Sequence, residues 1–250
     1  RQMCELEDVD LARSVIALIA DEPVGLALLS LRGARGWISG VGVLPLYRRL
    51  GIARRMVEAL QTRARDRGLE TLTLEVLAQN EAGLDLYRQL GFRKKRDLMV
   101  LRLEAVNSNP APLPDEIAFA EPERLLAQAP ALRQAPPSWQ REEISLARRA
   151  ARLRGLAWRE NGHLAGYLLY EEQQRHQAIY DLAVDPAHPQ RIQAARRLLW
   201  AVHRLRPGVG GYFVNLPMET DLLDAFLEVG YRIWQQQREM IWEVQEEATT

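Results

Sequence analysis

The stretch from Trp37 to Gly68 constrains this chain more than any other. Its centre reads Val41-Gly42-Val43-Leu44-Pro45-Leu46-Tyr47-Arg48-Arg49-Leu50-Gly51-Ile52-Ala53. An apolar run ends at Pro45, a basic turn follows, and after Gly51 the residues Ile52, Met56, Val57, Leu60 and Ala64 recur at helical spacing. The pattern predicts a strand, a turn and a helix. Gly68 suits the helix C-terminus, and Arg63, Arg65 and Arg67 suit the negative end of its dipole.

A helix N-terminus offers unpaired backbone N–H groups and a partial positive charge, so a turn that exposes them makes a seat for phosphate. Gly51 lets backbone approach such a ligand, small Ala53 keeps the first turn open, and Arg48, Arg49, Arg54 and Arg55 add full charges around the same point. The ligand expected there is a diphosphate. Taken alone, the stretch is also compatible with a solvated basic turn or plain scaffold. A dinucleotide fold is not indicated, because Gly40-Val41-Gly42 lies inside the apolar run and no third glycine opens a helix.

A chain of 250 residues is long enough for one large or two small domains. Lys+Arg and Asp+Glu both total 33, so net charge gives no sign of a nucleic-acid partner. The single cysteine, Cys4, excludes an intrachain disulfide and a cysteine-based zinc site. His163, His176, His188 and His203 are not spaced as metal ligands, so no metal is expected. No apolar segment approaches the ~20 residues of a membrane span and no signal peptide is visible, which points to a cytoplasmic protein without a membrane partner.

In chain order, residues 1 to 12 read as the tail of a helix. Ser14 to Ala20 and Val24 to Leu31 read as an antiparallel hairpin across Asp21-Glu22-Pro23, and Arg32 to Gly36 as a turn into the Trp37 to Leu44 strand. After the first helix, Leu69 to Leu77 reads as a strand carrying Glu75. Ala78-Gln79-Asn80 leads into a short helix with Leu84, Leu86, Tyr87 and Leu90, stopped by Gly91. Phe92 and Leu98 to Leu103 supply closing strands.

Arg48-x-x-Gly51-x-Ala53 after a strand ending in Val-x-Pro resembles the acyl-CoA pyrophosphate signature of the GNAT (GCN5-related N-acetyltransferase) superfamily. Asn80, Leu86-Tyr87 and Gly91-Phe92 resemble that family's second motif, Asn-x-x-Ala-x-x-Leu-Tyr-x-x-x-Gly-Phe, with Gly83 in place of its alanine. The resemblance implies an α/β (α+β) fold with a mixed, mostly antiparallel twisted sheet flanked by helices. It further implies that the two motif strands splay to admit an acyl-pantetheine arm. Acetyl-CoA then lies along Val41, Gly42 and Val43, its pyrophosphate in the turn Arg48, Arg49, Leu50, Gly51, Ile52, Ala53 and Arg54, with Asn80 and Tyr87 nearby.

Asn107-Ser108-Asn109-Pro110-Ala111-Pro112-Leu113-Pro114 has the composition of a stiff, solvated linker. The expected domains are 1–106 and 115–250. The second repeats the first: Gly162 to Tyr170 resembles Glu22 to Ser30, Ala178 to Pro186 resembles Trp37 to Pro45, and Gly230-Tyr231 matches Gly91-Phe92. With one inserted residue after Pro186, Gln193 lies over Gly51, and Phe226 falls where Tyr87 sits. The second copy is therefore expected to be degenerate, a structural or substrate-wall domain. It also has a strand near Ile117 to Phe119 and helical stretches at Pro122 to Gln134 and Trp139 to Leu153, where the first copy has about a dozen residues.

Acetyl transfer to an amine needs a base for the ammonium, donors for the oxyanion and an acid for the leaving thiolate. Tyr87 is the acid candidate, since a phenol near pKa 10 matches a thiolate near 8.5; a packed core aromatic is the plain alternative. Glu75 is the base candidate: Leu74-Glu75-Val76 followed by Asn80 looks like the ribosomal-protein N-terminal acetyltransferase branch, where a glutamate at this place is a proposed base. A water-facing or arginine-paired carboxylate is equally open for it. Asn80 either contacts the pantetheine arm or caps its helix.

The expected activity is acetyl transfer from acetyl-CoA to a primary amine of a small molecule or a peptide N-terminus. A mycothiol-synthase-like tandem enzyme and a non-catalytic acyl-CoA sensor are the alternatives. Fused repeats allow a monomer as an intrachain pseudo-dimer, or a homodimer.

Overall fold

The computed structural model describes residues 5–105 and 112–244. They form two compact units. Unit 1 takes the described residues up to Asp97 together with those from Gln237 on, and unit 2 takes Leu98–Gln236. The expected linker lies outside the described residues for positions 107–111.

Unit 1 begins with a three-strand antiparallel meander, β1 (Val15–Ile19), β2 (Glu22–Arg32) and β3 (Arg35–Val43). Ala20 and Asp21 both take left-handed backbone at the first reversal, the pattern whose twist suits a two-residue hairpin. Helix α1 (Ile52–Asp66) then crosses to β4 (Thr71–Leu77), which pairs parallel to β3. The expected helical face is the buried one: Met56, Val57, Leu60 and Ala64 pack with Ala27, Leu29, Ile38, Leu72 and Leu74. Burying each larger side chain contributes roughly 1.5–3 kcal/mol. Helix α2 (Glu81–Gln89) follows, and β5 (Arg93–Leu103) is one continuous strand where two closing pieces were expected.

Unit 2 repeats this plan with β6 (Ile117–Ala120), β7 (Arg154–Glu160), β8 (His163–Glu172) and β9 (His176–Val184) antiparallel in succession, α6 (Arg191–Leu205), and β10 (Gly210–Pro217) parallel to β9. Between β6 and β7 the two expected helical stretches break into α3 (Pro122–Leu126), α4 (Ala129–Leu132), a 3-10 turn at Trp139–Arg141 and α5 (Glu143–Arg149). Pro130, Pro136 and Pro137 account for the interruptions, because proline removes a donor and its ring crowds the preceding turn. Helix α7 (Leu222–Val229) and β11 (Arg232–Glu243) are the last elements among the described residues.

Each unit takes its last sheet strand from the sequence of the other copy. Gln237–Glu243 of β11 pair antiparallel with Leu77–Thr71 of β4, inside unit 1. In unit 2, residues 98–103 of β5 pair antiparallel with β10. The contiguous stretches 1–106 and 115–250 expected from the linker do not contain this exchange, which has no signal in composition or spacing.

Strand register makes the internal repeat explicit. Leu28 faces Gly40 and Leu29 faces Ile38, so Ser39 is bulged out; Leu169 faces Asp181 and Tyr170 faces Ile179, so Tyr180 is bulged out. Positions 36–43 thus match 177–184. The parallel pairs Trp37 with Thr73 and Ala178 with Tyr212 extend the match to β4 and β10, so that Glu75 corresponds to Val214. Tyr87–Phe92 and Phe226–Tyr231 are the same edge-to-face pair, each closed by a backbone bond from the later residue to the earlier.

One face distinguishes the copies. In unit 2, Ala157, Tyr167 and Leu169 are fully buried beneath residues of α3, α4 and α5. Their register counterparts in unit 1 are Ile16, Leu26 and Leu28, and Ile16 and Leu26 are 60% and 41% exposed. Among the described residues, unit 1 has no counterpart of β6 or of α3 to α5.

Candidate active site

In unit 1, β3 and β4 pair only at Arg35–Thr71, Gly36–Leu72 and Trp37–Thr73. Beyond that point the strands part, β3 running on to Val43 and β4 to Leu77. The bulge at Ser39 lies just past the fork and turns β3. Val41 and Val43 are half-buried against the unit 1 core and Gly42 is exposed, so the three stand along one limb of the opening.

At the end of that limb Pro45–Tyr47 form a 3-10 turn, Arg48 returns to extended backbone and donates Nε–H to the Val43 carbonyl at 3.2 Å, and Arg49 is left-handed. Gly51 caps α1 with φ +75°, a conformation that disfavours any side chain, and nothing lies within 4 Å of where its Cβ would stand. The start of α1 has no side-chain cap and no acidic residue in its first turn, while Arg54 and Arg55 lie there instead. Those charges oppose the helix dipole, and a bound anion would reverse the sign of that interaction. Leu50 is exposed, and Ile52, Ala53 and Arg54 are half-buried. Arg54 bonds Gln89 on α2 and lies 3.8 Å from Glu58, so it ties the two helices together. The open seat, the free amides and the basic turn fit a pyrophosphate.

On the other limb, Asn80 caps α2 by accepting the Gly83 N–H at 3.0 Å. The departure from the family's alanine has a local cause: a Cβ on Gly83 would stand 2.6 Å from Asn80 Nδ2, so the folded-over cap and the missing methyl go together. Tyr87 is half-buried, meets Phe92 at 5.8 Å between centroids, and has its hydroxyl pKa raised by burial.

Glu75 lies on β4 past the last β3–β4 pair, is half-buried, and forms no ion pair with an arginine among the described residues. Its Oε2 accepts the Trp37 indole N–H at 2.6 Å, its one hydrogen bond among the described residues. Loss of solvent pushes its carboxyl up to about 7, partly offset by that bond; the Glu239 charge pushes further up, and Arg96 and Lys95 pull down. A carboxylate raised to about 7 exchanges its proton near neutrality, the range that suits a general base. As the start of a strand, Trp37 gives no sign of this bond, whose acceptor sits 38 residues away on a strand that leaves it.

Unit 2 has lost each of these features. Ala178 stands for Trp37, Val214 for Glu75 and Phe226 for Tyr87. The expectation that Gln193 replaces Gly51 is corrected: α6 starts at Arg191, Gln190 is the cap with φ −116°, and Gln193 lies within the first turn. The helix start is occupied by Arg191, which donates to the Val184 carbonyl and pairs with Asp221 at 2.6 Å. The fork itself is plugged. Arg141 donates to Val214 O on β10 and to Ile179 O on β9, with its guanidinium 3.5 Å from the Phe213 ring centroid.

Behind the plug, Asp181 is buried and accepts from Arg133 at 2.6 and 3.1 Å and from Tyr167. Arg133→Ala strands that carboxylate, and breaking such a buried pair costs about 3–5 kcal/mol. Chemical denaturation should show the loss in unit 2.

Among the described residues, no group of three or more His, Cys, Asp or Glu is arranged to hold a metal ion, and no helix is long and apolar enough to cross a membrane.

The fold and the fork define the class. The model of the acetyltransferase (GNAT) family matches residues 2–92 and again 122–216, more than half of the chain, and the chain belongs to that family. Among curated relatives, an acetyltransferase of Sodalis glossinidius is 30% identical over 87 residues, covering 35% of this chain and 61% of that protein. N-alpha-acetyltransferase 30 of Schizosaccharomyces pombe is 34% identical over 89 residues, covering 33% and 59%. The [ribosomal protein bS18]-alanine N-acetyltransferase of Escherichia coli is 43% identical over 54 residues, covering 22% and 36%. The chain thus spans less than two thirds of each of these relatives. A GCN5-related N-acetyltransferase from Sphaerobacter thermophilus superposes with a TM-score of 0.73 at 18% identity, over 98% of this chain and 85% of its own. A tandem GNAT protein from the clavulanic acid biosynthesis pathway gives 0.68 at 14% identity, over 98% and 88%. These two share the tandem fold.

Proposed function

We propose that unit 1 transfers an acetyl group from acetyl-CoA to a primary amine, and that unit 2 binds no acyl-CoA. One comparison carries this reading: unit 1 keeps an open fork with Glu75 and Tyr87, whereas unit 2 has a plugged fork with Val214 and Phe226 at the matching positions. The amides at the start of α1 and the basic turn from Arg48 hold the pyrophosphate. Val41, Gly42 and Val43 line the pantetheine arm, and Asn80 stands across from them. Glu75 takes a proton from the acceptor ammonium. Tyr87, whose hydroxyl stays protonated through neutral pH, gives its proton to the departing thiolate and regains one from the nitrogen, which sheds its second proton as the amide forms. Acetyl-CoA supplies the activated acyl group.

Two relatives are named for acetylating a protein's alanine and for N-alpha-acetylation, which favours a peptide α-amine as acceptor. The test is release of free thiol from acetyl-CoA when peptide N-termini, polyamines, aminoglycosides and amino-acid derivatives are offered in turn. Turnover with one class and not the others supports the reading. Tight acetyl-CoA binding with no turnover in any class replaces the enzyme by an acyl-CoA sensor.

The pH dependence follows from Glu75. Its carboxyl is raised to about 7, so the reactive carboxylate is scarce below that pH and abundant above it. The acidic limb of kcat/KM should rise about tenfold per pH unit and level off above 7. In Glu75→Gln that limb should vanish along with most of the rate. A wild-type profile flat from pH 5.5 to 8 removes Glu75 from the mechanism.

A further inference from the structure

Glu239 stands directly opposite Glu75 across the β4–β11 pairing. Two carboxylates facing each other on neighbouring strands repel. Glu239 is buried and holds both neighbouring cations: Lys95 Nζ lies 3.0 Å from its Oε1, and Arg96 Nε donates to its Oε2. Among the described residues neither cation forms an ion pair with Glu75, whose single partner is the neutral indole of Trp37 on β3. Among the other charges on these strands, Lys94 donates to Asp97 at 2.5 Å, and Arg238 lies 4.0 Å from the same carboxylate. In unit 2 the strand paired with β10 places Met99 and Leu101 opposite Leu216 and Phe213, with no carboxylate.

We propose that Glu239 is a positioning residue for the reaction: by engaging Lys95 and Arg96 it keeps either cation from pairing directly with Glu75 and so preserves that carboxylate's affinity for a proton. This rests on the reading of Glu75 as the base. The last strand of the chain, whose sequence belongs to the degenerate copy, thereby completes the chemistry of the intact one. The exchange of strands is part of the active site as well as of the fold.

Two substitutions in the full chain should act in opposite directions. Glu239→Gln releases Lys95 and Arg96 towards Glu75 and removes the repelling charge, so the midpoint of Glu75 falls by about one unit. Lys95→Met deletes a cation whose side chain is 40% exposed, an alteration the fold tolerates, and the midpoint should rise. The midpoint is read without catalysis from the pH titration of the Trp37 indole N–H resonance, assigned by its disappearance in Trp37→Phe. The acidic limb of kcat/KM should move with it. If Lys95→Met leaves the indole titration unmoved, or both variants shift it the same way, the proposal is overturned. If the indole midpoints move as stated while the kcat/KM limb stays fixed, Glu239 does set the proton affinity of Glu75, and the assignment of Glu75 as base fails instead.

Discussion

Gly51→Gln is expected to abolish measurable acetyl-CoA binding while leaving both units folded. Two separable effects act at this position. Left-handed backbone at φ +75° costs a residue with a Cβ roughly 1–2 kcal/mol, which relaxes the loop away from its ligand-binding shape. The side chain then projects into space that is open in the structure and that the phosphates need. Losing two charge-assisted bonds from backbone N–H, each about 1.5–3 kcal/mol, lowers affinity by at least about 100-fold. Gly51→Ala separates the effects, because a methyl meets nothing within 4 Å and only the backbone strain remains. Calorimetry should therefore rank wild type, Ala and Gln in falling affinity, with the unfolding of both variants shifted by no more than that backbone cost. Binding by the Gln variant within tenfold of wild type would move the pyrophosphate away from the start of α1.

What the sequence revealed and what it hid follow a physical division. The strand, turn and helix around Gly51 are legible because each depends on neighbours within a few residues: apolar spacing, a basic turn and a glycine at a cap. Tyr87 and its counterpart Phe226 are legible because the helix stop, glycine and aromatic that follow each fix their register. Fusion of two copies is legible because hairpins repeat. The partner of Trp37, by contrast, depends on a parallel pairing that breaks off at Thr73, and nothing local encodes where two strands part. Glu239 faces Glu75 from 164 positions along the chain through an antiparallel register that only the exchanged strands create. Arg141 reads as an ordinary helix residue until β9 and β10 are seen to present it two carbonyls. Gln193 lies past the position of Gly51 because the turn is two residues shorter in the second copy, where α6 is capped at Gln190.

Tyr87→Phe should lower kcat by 10²- to 10⁴-fold, the range for losing a positioned proton donor, with the affinity for acetyl-CoA within about twofold of wild type. The substitution is structurally mild: the ring keeps its edge-to-face contact with Phe92, and the second copy already carries Phe226 at this position. What disappears is one hydroxyl whose pKa burial holds above the ordinary phenol value, so it remains a donor wherever the thiolate, near 8.5, needs a proton. The chemistry also predicts which substrates suffer least. An acyl donor with a more acidic leaving thiol departs as a stable thiolate and should recover much of the lost rate, while a buried aromatic that mattered only for packing would give no such rescue. A kcat within threefold of wild type, with no dependence on the leaving thiol, would return Tyr87 to the core and leave the thiolate to be protonated by water.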